Sequence, residues 1–164
     1  MFNRCYDLKF QEKEPTYKGC YVSDEWHNFQ NFGGWYDENY YEVQDEKMTL
    51  DKDILIKGNK IYSSEVCIFV PKRINSLFVK IKATRGNLPI GVHFSDIRRK
   101  YISQCNIGNG KRVTVGSFDT PEEAFYAYKE FKENYIKQIA EEYKNKIPFK
   151  LYSAMLNYEI DITD

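Results

Sequence analysis

The first third of the chain repeats aromatic side chains at helical spacing. Trp26, Phe29, Phe32 and Trp35 recur every three residues after Ser23-Asp24-Glu25, a hydroxyl N-cap with an acidic first turn, and predict a short amphipathic helix facing a core. Gly33-Gly34 is expected to loosen that helix near its end. The acidic, tyrosine-rich segment 37–47 has no clear period. A β-like run over 50–56 follows, stopped by the turn Lys57-Gly58-Asn59-Lys60 and resumed at Ile61-Tyr62. Ser63-Ser64-Glu65 leads into 66–75, where Pro71 breaks any continuous strand or helix. Strand, turn, strand and a nearby helix predict a compact ββα-sized unit. The segment 80–89, containing Thr84-Arg85-Gly86-Asn87 and Pro89, reads as a linker that separates a unit over 1–85 from one over 86–164.

The pattern in the last third is sharper. Three β-like runs, 90–94, 100–107 and 112–118, are joined by polar turns, the second being Gly108-Asn109-Gly110, and predict an antiparallel meander. Thr120-Pro121-Glu122-Glu123 supplies an N-cap hydroxyl, a proline at the first helical position and a glutamate placed to close a capping box. Ala124, Tyr128, Phe131, Tyr135, Ile139 and Tyr143 then form one apolar stripe, ended by Pro148. Leu151, Ala154, Met155 and Tyr158 repeat at helical spacing in a last short segment.

Alternation assigns the faces of this sheet. Val92, Phe94, Tyr101, Ser103, Cys105, Val113 and Val115 are expected against the helix. His93, Ser95, Ile102, Gln104, Asn106, Arg112 and Thr114 are expected on the open face, with Arg98, Arg99 and Lys100 in the first turn and Lys111 at the second. Amide and hydroxyl groups suit base edges in a major groove that admits a β element, and the cations suit phosphate.

Charge first argues against that reading and then supports it. The chain of 164 residues carries 24 Lys and Arg against 24 Asp and Glu, whereas a nucleic-acid-binding domain is usually basic. The balance is uneven along the chain. Residues 1–51 hold five basic and eleven acidic side chains (net −6), 52–117 hold thirteen and three (net +10), and 118–164 hold six and ten (net −4). A basic centre between acidic flanks offers a polyanion one positive surface. With a mean hydropathy of −0.65 and no run near the ~18 apolar residues of a membrane span, a soluble, cytoplasmic protein with no membrane partner is expected. Cys5, Cys20, Cys67 and Cys105 form no C-x-x-C pair and read as free thiols; a metal site from Cys5, Cys20 and His27 matches no known ligand spacing.

Several of these residues carry a resemblance. Gly91-Val92, Lys100-Tyr101, Gly110-Lys111-Arg112-Val113, Val115-Gly116-Ser117-Phe118-Asp119-Thr120-Pro121-Glu122-Glu123-Ala124 and Ala127-Tyr128 resemble the APETALA/ethylene-response-factor DNA-binding domain of plants, also found in phage homing endonucleases. In that family the open sheet face lies in the DNA major groove, so the resemblance implies DNA contacts at His93, Ser95, Gln104, Asn106, Arg112 and Thr114. The plant domains are richer in arginine and carry tryptophan where Thr114 stands. Leu50-Asp51-Lys52-Asp53-Ile54, Gly58-Asn59-Lys60, Tyr62-Ser63, Cys67, Phe69-Val70-Pro71 and Ile74-Asn75 resemble the His-Asn-His (HNH) endonuclease region of phage proteins. Cys5-Tyr6, Pro15-Thr16-Tyr17, Glu25-Trp26, Phe29-Gln30-Asn31-Phe32 and Trp35 resemble the upstream half of a phage family that joins HNH and APETALA regions. Its members often begin further upstream, so Met1 reads as a shortened start. The implied fold class is α+β, a small ββα-metal unit followed by a three-stranded antiparallel sheet packed on a long C-terminal helix. The implied setting is the cytoplasm of a phage-infected bacterium.

In an HNH nuclease a histidine base deprotonates water while Asp and Asn or His hold a divalent cation, Mg²⁺ or Mn²⁺, beside the departing oxygen. Here Asp51-Lys52 stands where an active enzyme has Asp-His. A lysine, with an ordinary pKa of about 10.4, is protonated at neutral pH unless strongly buried. The catalytic candidates are Asp51, Lys52 and Asn75, and the metal-ligand candidates are Asp51 and Asn75, with Asp53 a spare carboxylate. The favoured expectation is a sequence-selective double-stranded DNA-binding protein derived from an HNH homing endonuclease and weak or inactive as a nuclease. The alternatives are an active metal-dependent nicking endonuclease, and an anti-CRISPR-like inhibitor that binds a host defence nuclease or its nucleic-acid complex.

Overall fold

In the computed structural model, which describes residues 1–79, 86–108 and 110–164, chain contacts divide the protein into two units, Met1–Pro71 and Lys72–Asp164. The segment 72–79 thus belongs with the second unit, and most of the expected linker, 80–85, lies outside the described residues.

In the first unit, α1 (Phe2–Tyr6) and α2 (Leu8–Lys13) meet at Asp7, whose carboxylate accepts from the Phe10 backbone N–H at 3.1 Å and caps α2. The strand β1 (Tyr21–Val22) leads to a 3₁₀ turn, Asp24–His27, and then to α3 (Phe29–Asn39). The expected single helix is therefore two elements. Asn28 leaves helical geometry and its side-chain oxygen takes the Gln30 N–H at 3.0 Å, restarting the helix. That break splits the aromatic stripe: Trp26 is buried against Phe32 and Trp35, with ring centroids 5.1 and 4.8 Å away, while Phe29 is left exposed. Gly33-Gly34 sits inside the helix, which runs on to Asn39 and lays Trp35, Tyr36 and the following Tyr40 on Phe69.

The strands of this unit also pair differently from the expected hairpin. β2 (Met48–Asp51) ends at Asp51 and pairs antiparallel with β4 (Ile68–Pro71), while β3 (Ile61–Tyr62) pairs in parallel with β1. The reason is local. Oδ1 of Asp51 accepts the backbone N–H of Asp53 at 2.8 Å and of Ile54 at 2.7 Å, turning the chain before a strand over 50–56 can form. The core gathers Cys5, Cys20, Val22, Trp26, Tyr62 and Cys67.

The second unit begins with the one-turn helix α4 (Lys72–Asn75) immediately after Pro71. Its sheet is the expected meander, β5 (Val92–Ser95), β6 (Lys100–Asn106) and β7 (Arg112–Phe118), in the order β5-β6-β7. Thr120 starts α5 (Pro121–Tyr143) through a closed capping box: its hydroxyl accepts the Glu123 N–H at 3.2 Å, and the Glu123 carboxylate accepts the Thr120 N–H at 3.2 Å. The helix packs on the sheet around Val92, Cys105, Ala124, Phe125 and Tyr128. It ends at Tyr143, and Pro148 instead precedes α6 (Phe149–Leu156). The protein is thus mixed helix and sheet, with a three-stranded antiparallel sheet on a long helix. Among the described residues no helix is long and apolar enough to cross a membrane.

Candidate nucleic-acid interface

The register of the sheet decides which side chains share its open face. Ile102 pairs with His93 on one side and Ser117 on the other, Gln104 pairs with Thr114, and Asn106 pairs with Arg112. Between Ser103 and Gln104 the pairing with β7 slips, and the extra residue is Val115. The bulge reverses the alternation beyond it. Gly116 faces the helix opposite Ser103, and Ser117 joins the open face, where strict alternation would have put Gly116. Ser117 is therefore a functional candidate that period-2 reading misses; a glycine inside a strand is the signal that marks such a bulge.

The expected contact residues differ in how free they are. His93, Thr114, Lys111 and Arg112 are exposed, and Gln104 is half-buried. Ile102, at the centre of the same face, is buried, at 5 % exposure. Asn106 is occupied. Its side-chain oxygen accepts the Gly108 N–H at 2.8 Å and its amide donates to the Ser76 carbonyl at 3.4 Å, so it holds the start of the β6–β7 turn. Asn109, at the centre of that turn, lies outside the described residues. Ser95 accepts the Arg98 N–H at 3.3 Å in the β5–β6 turn. Lys100 is paired with Asp119, whereas Arg98, Arg99, Lys111 and Arg112 have no ion-pair partner among the described residues.

The helix side holds the sheet in place. Lys132 of α5 is only 3 % exposed and its ammonium donates to the Asn106 carbonyl at 2.7 Å; burial pushes its pKa down. Tyr135 donates to the Ile107 carbonyl at 3.0 Å. Gly91, at a φ of +77°, lies so close to Tyr128 that a Cβ would sit 2.1 Å from its ring.

The Asp51-Lys52 site is assembled in the first unit. Lys52 is 7 % exposed; its ammonium donates to the Asn59 carbonyl at 3.0 Å and to Asp53 at 3.1 Å, 6.0 Å from the centre of the Tyr62 ring. Burial, followed by the charge of Asp53, pushes the Asp51 pKa up, against the pull of its two backbone N–H bonds. Asn59 bridges the loop by donating to the carbonyls of Lys52 and Ile61 at 2.6 and 2.7 Å. Asn75 closes α4 in the second unit. Of these donors, Asp51 has Oδ1 taken by two N–H groups and Asp53 is paired with the Lys52 ammonium.

Among the described residues no three His, Cys, Asp or Glu side chains come together as a cation site. Cys5 and Cys20 lie in the first unit's apolar core with Cys67, whose thiol burial pushes up to about 12. All four cysteines are free and buried, while His27 is exposed against Phe2 and Tyr6. Comparison with known protein families, with curated proteins and with solved structures found no match to this chain.

Proposed function

We propose that this protein binds double-stranded DNA, reading the major groove with the open face of the β5-β6-β7 sheet, and does not cleave it. The observation that carries the reading is the composition of that face. His93, Gln104, Thr114 and Ser117 are hydrogen-bonding side chains set around the buried Ile102, and Arg98, Arg99, Lys111 and Arg112 stand unpaired among the described residues at the sheet's two turns. Cations at the ends hold phosphate and set register, while amide, hydroxyl and imidazole groups between them discriminate base edges. The likeness to the APETALA region of phage proteins supports the same use of the same face.

Nuclease activity is the less supported reading, because the resemblance puts Lys52 where a nuclease has histidine, and two of its hydrogens go to Asn59 and Asp53 while Oδ1 of Asp51 makes a turn. The test is a gel shift on random duplex DNA with the parent chain and with Arg112→Ala combined with Gln104→Ala. The double variant is expected to bind at least about tenfold more weakly, the loss of one good base or phosphate contact. Equal binding by the two proteins removes the sheet face from the reading.

A further inference from the structure

Ile97, at the tip of the β5–β6 hairpin, is 97 % exposed, more than any other large apolar side chain among the described residues. The tip is tied at its base. Ser95 and Lys100 close the hairpin as a pair, Ser95 accepts the Arg98 N–H, and Arg99 sits in the left-handed region at a φ of +53° where no glycine eases the turn. Ile97 is therefore held outward beside two arginines that have no ion-pair partner among the described residues. A single exposed apolar residue needs no explanation on an ordinary surface. One between an aspartate and two arginines, on the hairpin whose strands carry the polar face, has a specific chemical complement. Donors and acceptors read every feature of the major groove except the C5-methyl of thymine, which needs an apolar contact. Among the described residues of the open face the only exposed side chain with a methyl group is Thr114.

We infer that Ile97 is a specificity-determining residue that packs on a thymine methyl in the major groove, with Arg98 and Arg99 on the adjoining phosphates. The inference rests on the duplex DNA reading above and names one base that the duplex must contain. Gln104 lies four residue steps along β6 from Lys100, roughly 13 Å at ~3.3 Å per step. At ~3.4 Å per base pair the thymine lies about four to six pairs from the pair Gln104 contacts. A membrane is the weaker partner for the tip, since one isoleucine buries little area.

The experiment selects duplexes from a random pool with the full chain. It then replaces each thymine of a bound duplex in turn by deoxyuridine, which lacks only the C5-methyl. The parent is expected to lose about fourfold in affinity at one position, the transfer of one methyl group from water. Ile97→Ala, whose side chain touches no core, is expected to bind the thymine duplex about as weakly as the parent binds the uridine one, with no further loss on replacement. Matching thermal unfolding midpoints keep the comparison one of binding. Indifference of the parent to every uridine, or an Ile97→Ala protein that suffers the same losses as the parent, overturns the inference and leaves the duplex reading standing. Recovery of no duplex at all overturns both. Cosedimentation with phosphatidylcholine–phosphatidylserine vesicles that Ile97→Ala abolishes assigns the tip to a membrane and overturns the inference as well.

Discussion

Asp51 illustrates how much one side chain can decide. By accepting two backbone N–H groups it ends β2, turns the chain, and delivers Lys52 to Asn59 and Asp53. Asp51→Ala leaves those N–H groups without an acceptor and is expected to cost about 1–2 kcal/mol, read as a lower urea midpoint. An unchanged midpoint contradicts the turn's role. The carboxyl also carries a pH signature. Its pKa is raised in the folded chain, so folding takes up a proton between the ordinary carboxylate value and the raised one. The parent should therefore gain stability relative to Asp51→Asn as pH falls through that window and lose it as pH rises; urea midpoints of both proteins at pH 7 and at about pH 4.5 check the sign. Supercoiled plasmid incubated with the parent and Mg²⁺ or Mn²⁺ is expected to stay supercoiled. Nicking that Asp51→Asn abolishes contradicts the binding-only account. In the sequence, Asp51-Lys52 drew attention as a candidate site, but nothing there showed that both side chains serve the loop. For Lys52 that follows from bonds to Asn59, seven residues on, which no short-range spacing encodes; the turn at Asp51 is made on N–H groups two and three residues ahead. Ile97 was equally illegible, because periodicity says nothing about a turn residue's exposure.

At the scale of elements, local signals survived where they were backed by geometry within a few residues. The start of α5 was readable because Thr120, Pro121 and Glu123 satisfy their own backbone groups. Thr120→Ala is accordingly expected to cost about 1 kcal/mol, while Thr120→Ser changes little; thermal unfolding separates the two. The sheet was readable from its alternation as far as Thr114, but the place of Ser117 was not, because a bulge changes parity and alternation assumes there is none. The aromatic helix was misread for a similar reason. A stripe of spacing three fits one helix, but Asn28 caps a new one and sends Phe29 to solvent. The first unit's strands were the least legible, since β1 with β3 and β2 with β4 pair across long loops whose closure depends on packing. Where α5 meets β5 the tolerance is narrow. Gly91→Ala places a methyl 2.1 Å from the Tyr128 ring at a φ of +77°, and a loss of roughly 2–4 kcal/mol is expected in denaturant unfolding. A loss below about 1 kcal/mol contradicts that contact.

For the whole molecule, the neutral total charge conceals a division that follows the two units. Met1–Pro71 carries eight basic and thirteen acidic side chains (net −5), and Lys72–Asp164 carries sixteen and eleven (net +5). The sequence alone divides into acidic, basic and acidic thirds; the structure regroups them so that the sheet and its turns belong to the positive unit. The acidic stretch of α5 lies on the element behind that sheet rather than on its open face. Association with DNA is therefore expected to depend on a few cations at the turns and not on a broad positive field, which makes it measurable and salt-sensitive. The most direct test is a titration of duplex DNA with the full chain at salt concentrations between 50 and 200 mM. If Arg98, Arg99, Lys111 and Arg112 each neutralise one phosphate, log affinity falls by about 3.6 per tenfold rise in salt, roughly 150-fold across that range. Binding that is absent at 50 mM, or that scarcely changes up to 200 mM, contradicts the assignment of the sheet and its turns to DNA.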